Sequence, residues 1–89
     1  MGDKVNKLIV ISAVWCPSCL ILNKHLKYIK DNKNIEIVKY DYDLDEEFIE
    51  KYDVKDKLPV IILEDSNGNE LNRIIGEKSL EELLSFIGD

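Results

Sequence analysis

The spacing of apolar and polar residues changes several times along the chain, and each change predicts an element. Lys7 to Val14 is a near-continuous apolar run rich in Val and Ile. Such a run reads as a strand buried on both faces, hence central in its sheet. From about Cys16 to Asp31 the apolar residues fall at Leu20, Leu22, Leu26 and Ile29, with lysines at 24, 27 and 30 on the wetter side. That is the stripe of a half-buried helix, and lysines near its end suit the negative pole. Asp31-Asn32-Lys33-Asn34 reads as a turn. Ile35 to Tyr42 alternates and predicts a second strand. Asp43 to Tyr52 reads as a short acidic helix, capped by Asp43 or Asp45, with Phe48, Ile49 and Tyr52 on its apolar side. A loop from Asp53 to Leu58 follows, and Pro59 opens a third strand, Val60 to Leu63. Ser66-Asn67-Gly68-Asn69 signals a hairpin into a fourth strand, Glu70 to Ile75. Gly76 ends that strand. Ser79 caps a last helix, Leu80 to Ile87, with Glu81 and Glu82 in its favourable first turn.

The order is β-α-β-α-β-β-α. Strand, helix, strand implies a right-handed parallel crossover, and the hairpin adds an antiparallel pair. The expected architecture is α/β: a four-stranded mixed sheet flanked by helices on both faces. The 89 residues suit one small domain, 1–89, and a 45% hydrophobic content allows a core without stapling disulfides. Met1 to Asn6 is polar and expected to fray.

Charge narrows the function. A net charge of −6 argues against binding nucleic acid through its phosphates. No basic stretch leads into an apolar N-terminal segment, and no apolar run is long enough to cross a bilayer, so neither a signal peptide nor a membrane span is expected. The expected compartment is the cytoplasm, where paired cysteines are more often catalytic or metal-binding than structural.

Both cysteines of the chain lie in Trp15-Cys16-Pro17-Ser18-Cys19, where the first strand gives way to the first helix. Unpaired N–H groups at a helix start favour a thiolate over a thiol, which marks Cys16 as the attacking residue of a disulfide exchange. Cys19 lies about one turn deeper on nearly the same face and is expected to resolve the mixed disulfide. Cys16 is expected to be the more exposed of the two. Pro17 costs the helix nothing at its first turn. Ser18 brings a hydroxyl near the sulfurs, or is merely a tolerated small polar residue. A structural disulfide is a poor explanation, because so short a loop stabilises little. A structural zinc wants four ligands. His25, the only histidine, does not share a helix face with Cys19, so no metal site within one chain is expected. A bare Cys-x-x-Cys can also carry no chemistry; the strand before it and the helix start at it are what the redox reading requires. No Gly-x-Gly-x-x-Gly fingerprint is present, and no bound cofactor is expected.

With these residues in view the chain resembles the thioredoxin family over nearly its whole length. Trp15-Cys16-Pro17-Ser18-Cys19, Leu58-Pro59 entering a strand, the Asn67-Gly68 hairpin and Ile75-Gly76 before a final helix carry the resemblance. It implies a thiol–disulfide oxidoreductase acting on protein disulfides and re-reduced by a flavin-dependent reductase using NADPH. It further implies that Pro59 is cis and packed against the cysteines, and that Leu58 offers its backbone to an extended substrate. Trp15, Pro17, Leu58, Ile75 and Gly76 would form the apolar surface that receives the substrate. Set against that family, the extra first strand and helix are expected to be missing or vestigial. Proline directly after the first cysteine is more like glutaredoxins, which makes a protein recycled by glutathione the nearest rival. Ile75-Gly76-Glu77-Lys78, however, lacks the glutaredoxin Gly-Gly-acidic signature. A third reading is a binding module of the same fold whose dithiol is incidental, and a fourth is a metal carrier using both thiolates. Where the family buries an aspartate, this chain has Val10, while the lysine that often accompanies it is retained as Lys39. Lys39 would assist electrostatically if partly buried, or water would carry the proton of Cys19; the alternative is a solvated lysine on an edge strand with no part in the chemistry.

Overall fold

The computed structural model describes residues 7–33 and 35–88. The expectations for Met1 to Asn6, and for Asn34 in its turn, lie outside the described residues. The element order is β1 (Lys7–Ser12), α1 (Pro17–Asn32), β2 (Glu36–Asp41), α2 (Glu46–Lys51), β3 (Val60–Glu64), β4 (Glu70–Ile75) and α3 (Leu80–Phe86). The four strands form one mixed sheet in the order β2-β1-β3-β4. β1 runs parallel to β2 and antiparallel to β3, and β3 pairs antiparallel with β4.

β1 is central, as its unbroken apolar run requires: Leu8, Ile9, Val10 and Ile11 are each at most 1% exposed. Side chains alternate across a strand, and the two faces have different partners. Leu8, Val10, Ile61 and Leu63 pack under Leu22, Leu26 and Ile29 of α1 and Leu83 of α3. Ile9, Ile11, Val60 and Ile62 face Tyr52 and Val54, with Phe48 and Ile49 of α2 over them. Burying each such side chain stabilises the fold by roughly 1.5–3 kcal/mol. The buried carboxylate of Glu64 accepts a hydrogen bond from Tyr52, which, with burial as the larger cause, pushes the Tyr52 phenol up to about 12.

Three local expectations are corrected. Leu20 is not on the buried stripe of α1; it is 62% exposed, and Cys19 completes the stripe with Leu22, Leu26 and Ile29. β1 stops at Ser12, because Ala13 turns the chain and its carbonyl accepts the N–H of Cys16 at 3.2 Å. α2 starts at Glu46 rather than Asp43, with Asp45, one of the two expected caps, as its N-cap. Asp41 Oδ1 accepts the N–H groups of Asp43 and Leu44 at 2.8 and 3.1 Å, and Asp45 Oδ2 accepts that of Asp41 at 2.7 Å. These bonds hold the segment as a turn rather than a helical start.

The hairpin and last helix follow their signals. Asp65 Oδ1 accepts the N–H groups of Asn67 and Asn69, both at 2.9 Å, and Gly68 takes a positive φ of 86° that a side chain would resist. Ser79 and Glu82 form a reciprocal capping box on α3.

Candidate active site

The sheet brings four chain segments to one end of the molecule. Tyr42, just past β2, donates its N–H to the Ser12 carbonyl at 2.8 Å. Val60 at the start of β3 pairs with Ile11 near the end of β1 and with Ile75 at the end of β4. Gly76 donates its N–H to Pro59 at 2.8 Å, with a φ of 96° in the left-handed region that favours glycine. α1 begins at this end.

Cys16 is the N-cap of α1, with extended backbone (φ −97°, ψ 112°) and no capping hydrogen bond from its side chain. Pro17 takes the first helical position. The Cys19 N–H closes the first turn onto the Cys16 carbonyl at 3.1 Å. Both cysteines are free and both are buried, 6% exposed for Cys16 and 2% for Cys19. The expected contrast in exposure is therefore small: Ala13 packs with the pair, and Tyr42 and Leu58 pack over it. Burial pushes the Cys19 thiol up from 9.0 to about 11; its hydrogen bond to Cys16 and the charge of Cys16 add to this, against a backbone hydrogen bond from Ala13. Cys19 thus keeps its proton at neutral pH.

Trp15 is 55% exposed, not core. Its Nε1 donates to Asp43 Oδ2 at 2.7 Å and its ring meets Tyr42 edge-on at 6.2 Å. Pro17 is exposed, Leu58 and Gly76 are half-buried, and Ile75 is 45% exposed. The Leu58–Pro59 bond is cis and Pro59 is buried. Ser18 donates its hydroxyl to Glu77 Oε1 at 3.1 Å. Tyr42, Asp43 and Glu77 were not among the site residues read from the sequence. No local motif marks them, since each arrives through strand pairing or a loop distant in the chain.

Lys39 pairs with Val10 in register, and Val10 is buried among the apolar side chains beneath α1, as its type requires. The partly buried, unpaired lysine is not found: Lys39 is exposed and its Nζ donates to Asn23 Oδ1 at 3.4 Å. His25 is half-buried on α1. Among the described residues no three His, Cys, Asp or Glu side chains gather in a way that could hold a metal.

The family model for thioredoxin matches residues 2–89. The chain belongs to the thioredoxin family. Solved thioredoxins share its fold. Thioredoxin-2 of the malaria parasite, described as a component of that parasite's protein secretion machinery, is 27% identical, with a TM-score of 0.84 over 98% of this chain and 84% of that one. Trxlp from Edwardsiella tarda is 26% identical, with a TM-score of 0.84 over 93% of this chain and 82% of its own. Mitochondrial thioredoxin 3 of Saccharomyces cerevisiae, in its oxidised form, is 26% identical, with a TM-score of 0.79 over 96% and 78%. No curated relative matches the chain in sequence. Thioredoxin-family members are generally thiol–disulfide oxidoreductases, and the buried cysteine pair at the head of α1 is the feature of this thioredoxin-fold chain suited to such chemistry.

Proposed function

We propose that this thioredoxin-family protein reduces disulfides in other proteins. The observation that carries the reading is the placement of both cysteines at the start of α1: Cys16 is the N-cap, Cys19 lies one turn inside, and burial pushes the Cys19 thiol up, which leaves Cys16 as the sulfur to attack. The Cys16 thiolate attacks one sulfur of a substrate disulfide. A mixed disulfide forms, and the other substrate sulfur leaves as a thiolate and takes up a proton. Cys19 then loses its proton and attacks the Cys16 sulfur. The Cys16–Cys19 disulfide closes, and the second substrate sulfur leaves. Two electrons and two protons have passed to the substrate. Because Lys39 is exposed and bonded to Asn23, water is the better candidate to carry the Cys19 proton.

Trp15, Pro17, Leu58, Ile75 and Gly76 form the docking surface, with Pro59 buried beneath it. Exposed Trp15 and Ile75 around a buried dithiol suit an extended protein segment better than a small ligand. The proposed donor is a flavin-dependent, NADPH-using reductase, and a reducing compartment such as the cytoplasm fits the cycle. Among the described residues no helix is long and apolar enough to cross a membrane, and the net charge of −6 disfavours nucleic acid as a partner.

The test is reduction of insulin disulfides, run in parallel with thioredoxin reductase and NADPH and with glutathione and its reductase. Turnover with the first donor that is lost in Cys16→Ser is expected, and Cys19→Ser should trap the mixed disulfide. Turnover with glutathione alone would make the protein functionally a glutaredoxin. No turnover with either would remove the catalytic assignment.

A further inference from the structure

Ser18 sits between the two cysteines, at the second position of α1. Its hydroxyl donates to Glu77 Oε1 at 3.1 Å, across a gap of 59 residues in the chain. The contact ties the first turn of α1 to the loop that leaves β4. A hydroxyl has one proton to donate. While Glu77 accepts it, no sulfur does. Cys16 is the N-cap of α1, its side chain makes no capping hydrogen bond, and Ser18 is the second residue of the turn that Cys16 opens. An unclaimed Ser18 hydroxyl therefore lies within the same turn as the attacking sulfur. A hydrogen bond to a thiolate stabilises the reduced form of the couple, and a carboxylate nearby does the opposite.

We propose that Glu77 is a positioning residue: it holds the Ser18 hydroxyl away from the Cys16 sulfur and so keeps the dithiol more reducing than it would otherwise be. The assignment rests on the dithiol reading above and adds to it a residue that tunes the couple from outside the motif. The sequence could only offer Ser18 as a hydroxyl near the sulfurs; Glu77 decides where that hydroxyl points.

The test is the equilibrium of the purified protein with glutathione redox buffers. Two protein thiols are oxidised to the Cys16–Cys19 disulfide as one glutathione disulfide is reduced to two glutathiones, and the oxidised fraction is read from the mass added by alkylation. Glu77→Ala is expected to shift the equilibrium constant about tenfold toward an oxidising protein, equal to about 30 mV for this two-electron couple. In a Ser18→Ala background the same substitution is expected to shift it by less than about threefold, because no hydroxyl is left to release and only the exposed, screened charge of Glu77 is lost. Glu77→Gln keeps an oxygen that can accept the hydroxyl and is expected to stay within about threefold of wild type. The assignment is overturned if Glu77→Ala lies within about twofold of wild type, if its shift persists undiminished without Ser18, or if Glu77→Gln shifts as far as Glu77→Ala. A wild-type pair that forms no disulfide in any buffer sinks the dithiol reading and this assignment together. A pair that oxidises normally, with its potential unmoved in Glu77→Ala, sinks this assignment alone.

Discussion

Alkali should destabilise the reduced protein through one buried thiol. Cys19 is 2% exposed, and its burial, with the hydrogen bond to Cys16, pushes its pKa from 9.0 to about 11. In the unfolded chain the same thiol ionises near its ordinary value. Between the two values the unfolded chain has released the proton and the folded chain still holds it. Stability from this source is therefore complete below about pH 9 and falls as pH climbs toward 11. Integrating the difference in bound protons gives a loss of ~2 kcal/mol at about pH 10.5. Tyr52, raised from 10.0 to about 12 by burial and by its hydrogen bond to Glu64, acts in the same direction at higher pH. The comparison therefore needs a variant that keeps Tyr52 and loses the Cys19 proton. Cys19→Ser is that variant. Urea unfolding of both proteins, held reduced by a phosphine, should be followed from about pH 7.5 to 10.5. Wild type should lose ~2 kcal/mol more than Cys19→Ser over that range. Equal losses would show that Cys19 titrates as an ordinary thiol, and the argument that burial assigns the attacking role to Cys16 would fail.

Two further outcomes follow from the surroundings of the pair. Val10→Asp restores the family's usual carboxylate at a position that is 1% exposed and walled by apolar side chains; it should cost about 3 kcal/mol or more at neutral pH. The cost should shrink below about pH 3, where the carboxyl is neutral in both states. A loss under about 1 kcal/mol in urea unfolding would mean that Lys39 swings in from solvent to pair with it. Trp15→Phe keeps an aromatic ring against Tyr42 but loses the 2.7 Å hydrogen bond to Asp43; KM for a protein disulfide should rise about threefold to tenfold with kcat nearly unchanged. A fall in kcat at constant KM would place Trp15 in the chemical step rather than in docking.

The sequence by itself determined what repeats locally. The apolar run of β1, the alternation of β2, the Asn67-Gly68 hairpin and the Ser79–Glu82 capping box are short-range patterns, and the structure forms each of them. The motif spacing likewise determined that Cys16 starts the helix and that Cys19 lies one turn inside. The tertiary structure decided what depends on residues far apart in the chain. It turned Leu20 outward and put Cys19 on the buried stripe of α1. It chose Asp45 over Asp43 as the cap of α2, because the side chain of Asp41 claimed the N–H groups of Asp43 and Leu44. It buried Cys16 almost as deeply as Cys19, and it left Lys39 in solvent. Asp43 reaches Trp15 across 28 residues and Glu77 reaches Ser18 across 59. Periodicity reports which face of an element is apolar, a property of neighbours along the chain. Which distant carboxylate meets a given indole or hydroxyl is settled only when strand pairing brings the ends of β1, β2, β3 and β4 together.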